Sequence, residues 1–75
     1  MKARISQTAM GYHIALSAPR DSFAQLLETF KSVIPKACRR FIADRRAWFV
    51  DLRAGKRVER FASAVTEAGG KVESV

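Results

Sequence analysis

The sequence predicts a small α+β domain in which two helices pack on one face of an antiparallel-rich sheet. Two segments carry apolar residues at helical spacing, and the stretch between them alternates as a hairpin does. A short alternating strand precedes the first helix. The expected order is β-α-β-β-α with a final β. This split arrangement leaves the second face of the sheet open.

Length and composition fit a single domain. The chain has 75 residues, 48% of them hydrophobic and 28% charged, which allows one modest core. Residues 1–10 show no clear period and are expected to form a flexible N-terminal arm, so the domain is predicted over residues 11–75. Cys38 is the only cysteine, which excludes an internal disulfide. With no membrane-length apolar run and no secretory signal, we expect a cytoplasmic protein that does not contact membranes.

The first strand is predicted over residues 11–17. Tyr12, Ile14 and Leu16 alternate there with small or polar residues, as in a strand with one buried face. The alternation places His13 on the opposite, open face. No cysteine or carboxylate stands at ligand spacing from His13, so it is interpreted as a surface residue, with phosphate or base contact as the alternative. No metal and no cofactor are expected.

The first helix is predicted from an apolar stripe and is expected to end at Ile34, because Pro35 follows. The stripe consists of Phe23, Leu26, Leu27, Phe30, Val33 and Ile34. A second helix is predicted to begin at Gly55 and to end at the pair Gly69-Gly70. The tail KVESV is expected to form a short edge strand.

A hairpin is predicted in the segment CRRFIADRRAWFVDL, with strands over residues 38–43 and 46–52. Trp48 is expected to face the core together with Val50, so Phe49 must point to the open face. An aromatic ring on an open sheet can stack a nucleic-acid base, although a partner could equally cover it. The expected core comprises Ile14, Leu16, Phe23, Leu27, Phe30, Trp48, Val50, Phe61 and Val65.

Positive charge is concentrated in the middle of the chain. The net charge is +7, and the segment from Lys36 to Arg60 contains nine basic and three acidic residues, a net charge of +6. Such a patch indicates a polyanionic partner. The chain has nine arginines and five lysines, and arginine is the better residue for bidentate phosphate contact and for stacking on bases.

The basic residues fall into two groups, one in the predicted hairpin and one at the start of the second helix. Arg39 and Arg40 alternate in facing, so at most one of them lies beside Phe49. The start of the second helix is also basic, although the helix dipole disfavours each cation there by about 0.3–1 kcal/mol, which indicates an anion site. The candidate nucleic-acid-binding residues are Arg39, Arg40, Arg45, Arg46, Phe49, Arg53, Lys56, Arg57 and Arg60.

The segment from Phe23 to Leu52 resembles the HARP domain, the small module that accompanies annealing helicases. The similarity consists of an amphipathic helix ending in Ile34-Pro35, the run Arg39-Arg40-Phe41, and Trp48 with apolar residues after it. The turn differs, because Ile42-Ala43 stands where that family tends to have Asp-Pro. The resemblance implies binding to structured DNA, particularly to junctions of single and double strands.

The expected function is therefore non-catalytic nucleic-acid binding, with DNA favoured over RNA and single-stranded or forked DNA favoured over plain duplex. No recognition helix of the major-groove type is evident, and no nucleophile and base or carboxylate pair suggests an enzyme. The alternative is a small interaction module or an inhibitor from a mobile element, which would use its basic face on an acidic or nucleic-acid-binding protein. A homodimer formed through the open face is a further alternative.

Overall fold

The computed structural model describes residues 1–75 and contains one five-stranded sheet and two α-helices. The strands follow the order β3-β4-β2-β1-β5 across the sheet, with β1 and β5 parallel and the other neighbours antiparallel. The elements are β1 (Lys2–Gln7), β2 (Gly11–Ser17), α1 (Arg20–Val33), β3 (Arg39–Ile42), β4 (Ala47–Asp51), α2 (Gly55–Glu67) and β5 (Lys71–Ser74). The predicted α+β class is confirmed, and so is the final strand.

The expectation of a flexible arm over residues 1–10 is wrong. Residues Lys2–Gln7 form β1, which lies between β2 and β5 and bonds to both. Ala3 is fully buried and Ile5 packs against the core, whereas Lys2 and Arg4 point to the open face. This alternation is short, and its buried residue is only an alanine, so it gives a weak signal in the sequence.

Both helices cover the same sheet face and meet over a single core. Phe30 of α1 and Phe61 of α2 are fully buried, with ring centroids 5.2 Å apart in an edge-to-face arrangement. Below them lie Ile14 of β2 and Val50 of β4, both also fully buried. Each helix connects two parallel strands that are not neighbours in the sheet, which is the predicted split arrangement.

The predicted core is largely confirmed, with one error in α1. Ile14, Phe30, Val50, Phe61 and Val65 are buried, and Leu16 and Trp48 are half-buried against them. Leu27 is half-buried, while its neighbour Leu26 takes the place in the core. Phe23 is instead 39% exposed, because α1 turns Leu26, Phe30 and Ile34 toward the sheet. These three residues follow an i, i+4, i+8 row, so Phe23 lies at the margin of the apolar stripe.

The hairpin turn contains a residue with a left-handed backbone, which its sequence does not predict. A 3₁₀ turn over Ala43–Arg45 links β3 to β4, and Arg46 then adopts a left-handed backbone with φ 49° and ψ 42°. Its N–H donates to the Ala43 carbonyl at 3.2 Å. Most non-glycine residues avoid this region because of steric conflict at Cβ. The turn therefore closes without a glycine and holds Arg46 in a strained position.

Candidate nucleic-acid interface

The open sheet face carries an aromatic and basic cluster centred on Phe49. Phe49 pairs with His13 of β2 on one side and with Arg40 of β3 on the other, so the three side chains share this face. The His13 and Phe49 ring centroids are 5.6 Å apart in an edge-on arrangement. The Arg40 guanidinium carbon lies 5.9 Å from the Phe49 centroid, within the range of a cation–π contact. The predicted facing of Phe49 and His13 is confirmed.

The Phe49 ring packs against the backbone of β2 at Gly11. A Cβ added at Gly11 would lie 2.8 Å from Phe49 Cζ and would also collide with the Val50 carbonyl oxygen. The ring thus lies along the bare backbone of β2, in a position that any side chain at Gly11 would occupy. This support leaves Phe49 half-buried, with the rest of the ring open to solvent.

The hairpin turn extends the cluster. Arg45 donates a hydrogen bond from Nη1 to His13 Nδ1 at 3.3 Å, which joins the turn to the open face. Arg46 is exposed, and neither arginine has an acidic residue within salt-bridge distance. Their charge is therefore free to meet an external anion.

A shallow depression of about 340 Å³ adjoins the Phe49 ring at the β3 edge of the sheet. Arg40 and Asp51 line it together with Phe49, and the 3₁₀ turn before β3 supplies Ala37 and Cys38. Apolar, cationic and acidic groups thus surround one concave surface next to a half-buried ring. Such a combination can accommodate a flat polar group that is stacked on Phe49.

Two of the predicted residues, Arg39 and Arg57, lie on the other side of the sheet and act on the C-terminus of α1. Arg39 donates from Nη1 to the carbonyl oxygens of Lys31, at 3.1 Å, and of Ile34. Arg57 donates from Nη1 to the Val33 carbonyl at 3.4 Å. The last carbonyls of a helix lack partners within the helix and carry partial negative charge. The two guanidinium groups satisfy them, so both residues have a structural role in the fold.

The remaining candidates are dispersed. Arg53 pairs with Asp51, through Nε to Oδ2 at 3.5 Å and through its backbone N–H to Oδ1 at 3.0 Å. Lys56 and Arg60 are exposed on α2 and have no salt-bridge partner. The structure therefore brings Arg40, Arg45 and Phe49 together and separates the start of α2 from them.

The open face also holds basic residues that the sequence analysis missed. Lys2 and Arg4 project there from β1, because their neighbours Ala3 and Ile5 face the core. Glu73 of β5 lies between them, 3.2 Å from Lys2 Nζ and 3.7 Å from Arg4 Nε. Recognition of the alternation in KARIS would have placed both residues. Glu73 neutralises part of their charge, so this side of the face is less basic than the hairpin side.

Neither helix is long and apolar enough to cross a membrane. No group of three or more His, Cys, Asp or Glu residues is arranged to hold a metal ion. Comparison with protein-family models, with curated proteins and with solved structures finds no match.

Proposed function

We propose that this protein is a non-catalytic nucleic-acid-binding protein that takes single-stranded or forked DNA on its open sheet face. The observation that carries the proposal is the half-exposed Phe49 ring, with His13 at one side and Arg40 at the other. Base stacking on an aromatic ring is tolerant of sequence, and adjacent arginines hold the phosphates between stacked bases.

The chemistry of the cluster favours unpaired bases over duplex. A base inside a duplex is already stacked on both faces and cannot reach a ring that lies on a flat sheet. Both helices of this protein pack on the opposite face, so no helix projects from the open face toward a major groove. The resemblance of residues 23–52 to the HARP domain favours DNA over RNA and adds forked junctions to the expected ligands.

The proposed interface is narrower than the basic segment. It comprises Phe49 for stacking, Arg40 beside the ring, and Arg45 and Arg46 at the hairpin turn. His13 contributes to the same surface and orients Arg45. Arg39 and Arg57 are left out because their guanidinium groups bond to α1 carbonyls, and Arg53 is left out because it pairs with Asp51.

A binding experiment with a matched pair of aromatic variants tests the proposal. Fluorescence polarisation would be measured with labelled single-stranded, duplex and forked DNA and with single-stranded RNA, at two salt concentrations. Phe49→Ala should weaken binding to single strands by about 1–3 kcal/mol, roughly 5- to 150-fold, with little change in salt dependence. Phe41→Ala is the control, because Phe41 is 52% exposed in the same hairpin but lies on the helix-facing side against Trp48.

Thermal unfolding of both variants separates loss of the site from loss of the fold. Equal weakening by the two substitutions would contradict the stacking role of Phe49. Absence of any nucleic-acid affinity in the wild-type protein would refute the proposed function and favour the protein-partner alternative. Tighter binding to RNA than to DNA would overturn the part of the proposal that depends on the family resemblance.

A further inference from the structure

The outer edge of β5 is an unpaired strand edge at one end of the sheet. β5 pairs only with β1. At the two ends of this pairing, the N–H of Lys71 donates to the carbonyl of Met1 and the N–H of Val75 donates to the carbonyl of Ile5, each at 2.9 Å. Because backbone groups alternate along a strand, Val72 and Ser74 direct theirs away from β1. An open edge of this kind is a template for pairing with another strand.

We propose that β5 pairs antiparallel with β5 of a second copy of this chain, about a two-fold axis at Val72. In this register Val72 lies opposite Val72 of the second copy, and the outward backbone groups of both residues bond to each other. The two strands then join two sheets into one. The proposal is independent of nucleic-acid binding.

Charge complementarity selects both the partner and the register. A two-fold axis at Val72 places Lys71 opposite Glu73 of the second copy, and the symmetry repeats this pair. Lys71 has no acidic residue within salt-bridge distance in its own chain. An axis at Glu73 would instead set the two glutamates against each other, and like charges directly opposite destabilise a strand pair. The sequence of β5 is therefore self-complementary in one register only.

The surroundings of β5 leave room for a second copy. On the helix side Val72 lines a groove with small or short side chains of α2, among them Ala62, Ser63 and Thr66. The opposite edge of the sheet, β3, is a poorer candidate, because Arg39 and Arg40 of two copies would meet with no acidic residue in the strand. Of the two open edges, only β5 combines free backbone groups with complementary charge.

The geometry of the dimer sets the two open faces on the same side. A two-fold axis between antiparallel strands stands perpendicular to the sheet, so all helices lie on one side and both Phe49 clusters on the other. Seven strand spacings separate the two β4 strands, a distance of roughly 34 Å along the joined sheet. The dimer therefore presents two identical clusters on one continuous surface.

Sedimentation equilibrium of the full chain over a concentration series tests the proposal. The wild-type protein should associate to a dimer and no further, because pairing consumes the β5 edge. Val72→Pro should abolish association, because proline removes an outward N–H and leaves the bonds to β1 in place. Lys71→Glu should weaken the association constant by about tenfold or more, because two favourable pairs become repulsive.

A charge-matched control separates the specific pair from general electrostatics. Lys71→Glu and Lys36→Glu each lower the net charge from +7 to +5. General repulsion between positive copies would therefore make both variants associate more tightly, whereas the proposed pair predicts weakening by Lys71→Glu alone. A mixture of Lys71→Glu with Glu73→Lys should restore dimers, since each strand then meets opposite charges. A wild-type protein that remains monomeric throughout, or one whose association is unchanged by Lys71→Glu and Val72→Pro, would overturn the proposal.

Discussion

Replacement of Arg46 by glycine should leave the protein at least as stable as the wild type. Arg46 has a left-handed backbone at φ 49°, which costs a residue with a Cβ about 1–2 kcal/mol. Glycine removes that strain, but its greater conformational freedom in the unfolded chain lowers the free energy of unfolding by about 0.4–1 kcal/mol. The difference predicts a gain in the free energy of unfolding between about 0 and 1.6 kcal/mol for Arg46→Gly.

The neighbouring residue supplies the control. Arg45 lies in the 3₁₀ turn without a positive φ. Arg45→Gly therefore increases the conformational entropy of the unfolded chain and relieves no backbone strain. Arg45→Gly should therefore lower stability by about 0.5–1 kcal/mol and also remove the hydrogen bond to His13. The two variants change charge identically. In a domain of this size each kcal/mol corresponds to about 4–8 °C in Tm, so calorimetry or circular dichroism resolves them.

Equal losses of stability in the two glycine variants would refute this reasoning about Arg46. If the prediction holds, stability alone would favour glycine at position 46, and the arginine has another use. Under the proposed function, Arg46→Gly should weaken DNA binding even though it does not weaken the fold. The loss of one phosphate contact should reduce the salt slope by about 0.7 for a single strand.

The other predictions concern the core and the helix ends. Phe30→Ala removes a fully buried ring that contacts both Phe61 and Trp48, and should cost about 3–5 kcal/mol, enough to unfold most of the protein in a thermal or denaturant titration. Arg57→Gln should lower the free energy of unfolding by about 0.5–1.5 kcal/mol through loss of its bond to an α1 carbonyl. Lys56→Gln should instead leave stability unchanged or raise it by about 0.3–1 kcal/mol, because it removes an unpaired cation from the start of α2. Equal effects of the two substitutions would contradict the assigned role of Arg57.

The elements with strong periodic signals were predictable from the sequence. The stripe from Phe23 to Ile34 predicts α1, and Pro35 predicts an end at Ile34, which is the C-cap one residue after the last helical residue, Val33. Gly69 predicts the end of α2 and has a φ of 87°, which a glycine adopts without steric cost. In each case a local steric rule operates independently of the tertiary structure.

The features that the sequence did not reveal depend on long-range pairing. β1 has few strand-forming residues and becomes a strand because β2 and β5 lie on its two sides. The role of Arg57 could not be read from its position at the start of α2, because the acceptor is Val33, 24 residues away in the chain. Alternation predicted that Arg39 and Arg40 face opposite ways, but only the packing of α1 shows which of them reaches the open face.

The salt dependence of binding distinguishes two possibilities: phosphate contacts by the whole basic segment, or contacts by the proposed interface alone. If all nine candidate residues except Phe49 contacted phosphates, eight contacts would give a slope of log K against log salt of about −5.6 for a single strand. An interface limited to Arg40, Arg45 and Arg46 predicts a slope of about −2. The smaller value follows from the structure, because Arg39 and Arg57 donate to α1 carbonyls, Arg53 pairs with Asp51, and Lys56 and Arg60 lie on α2, away from the Phe49 cluster. A measured slope near −5 or steeper would require about seven contacts and would show that some of Arg39, Arg53 and Arg57 leave their partners to bind DNA. The division of arginines into structural and binding sets would then be wrong.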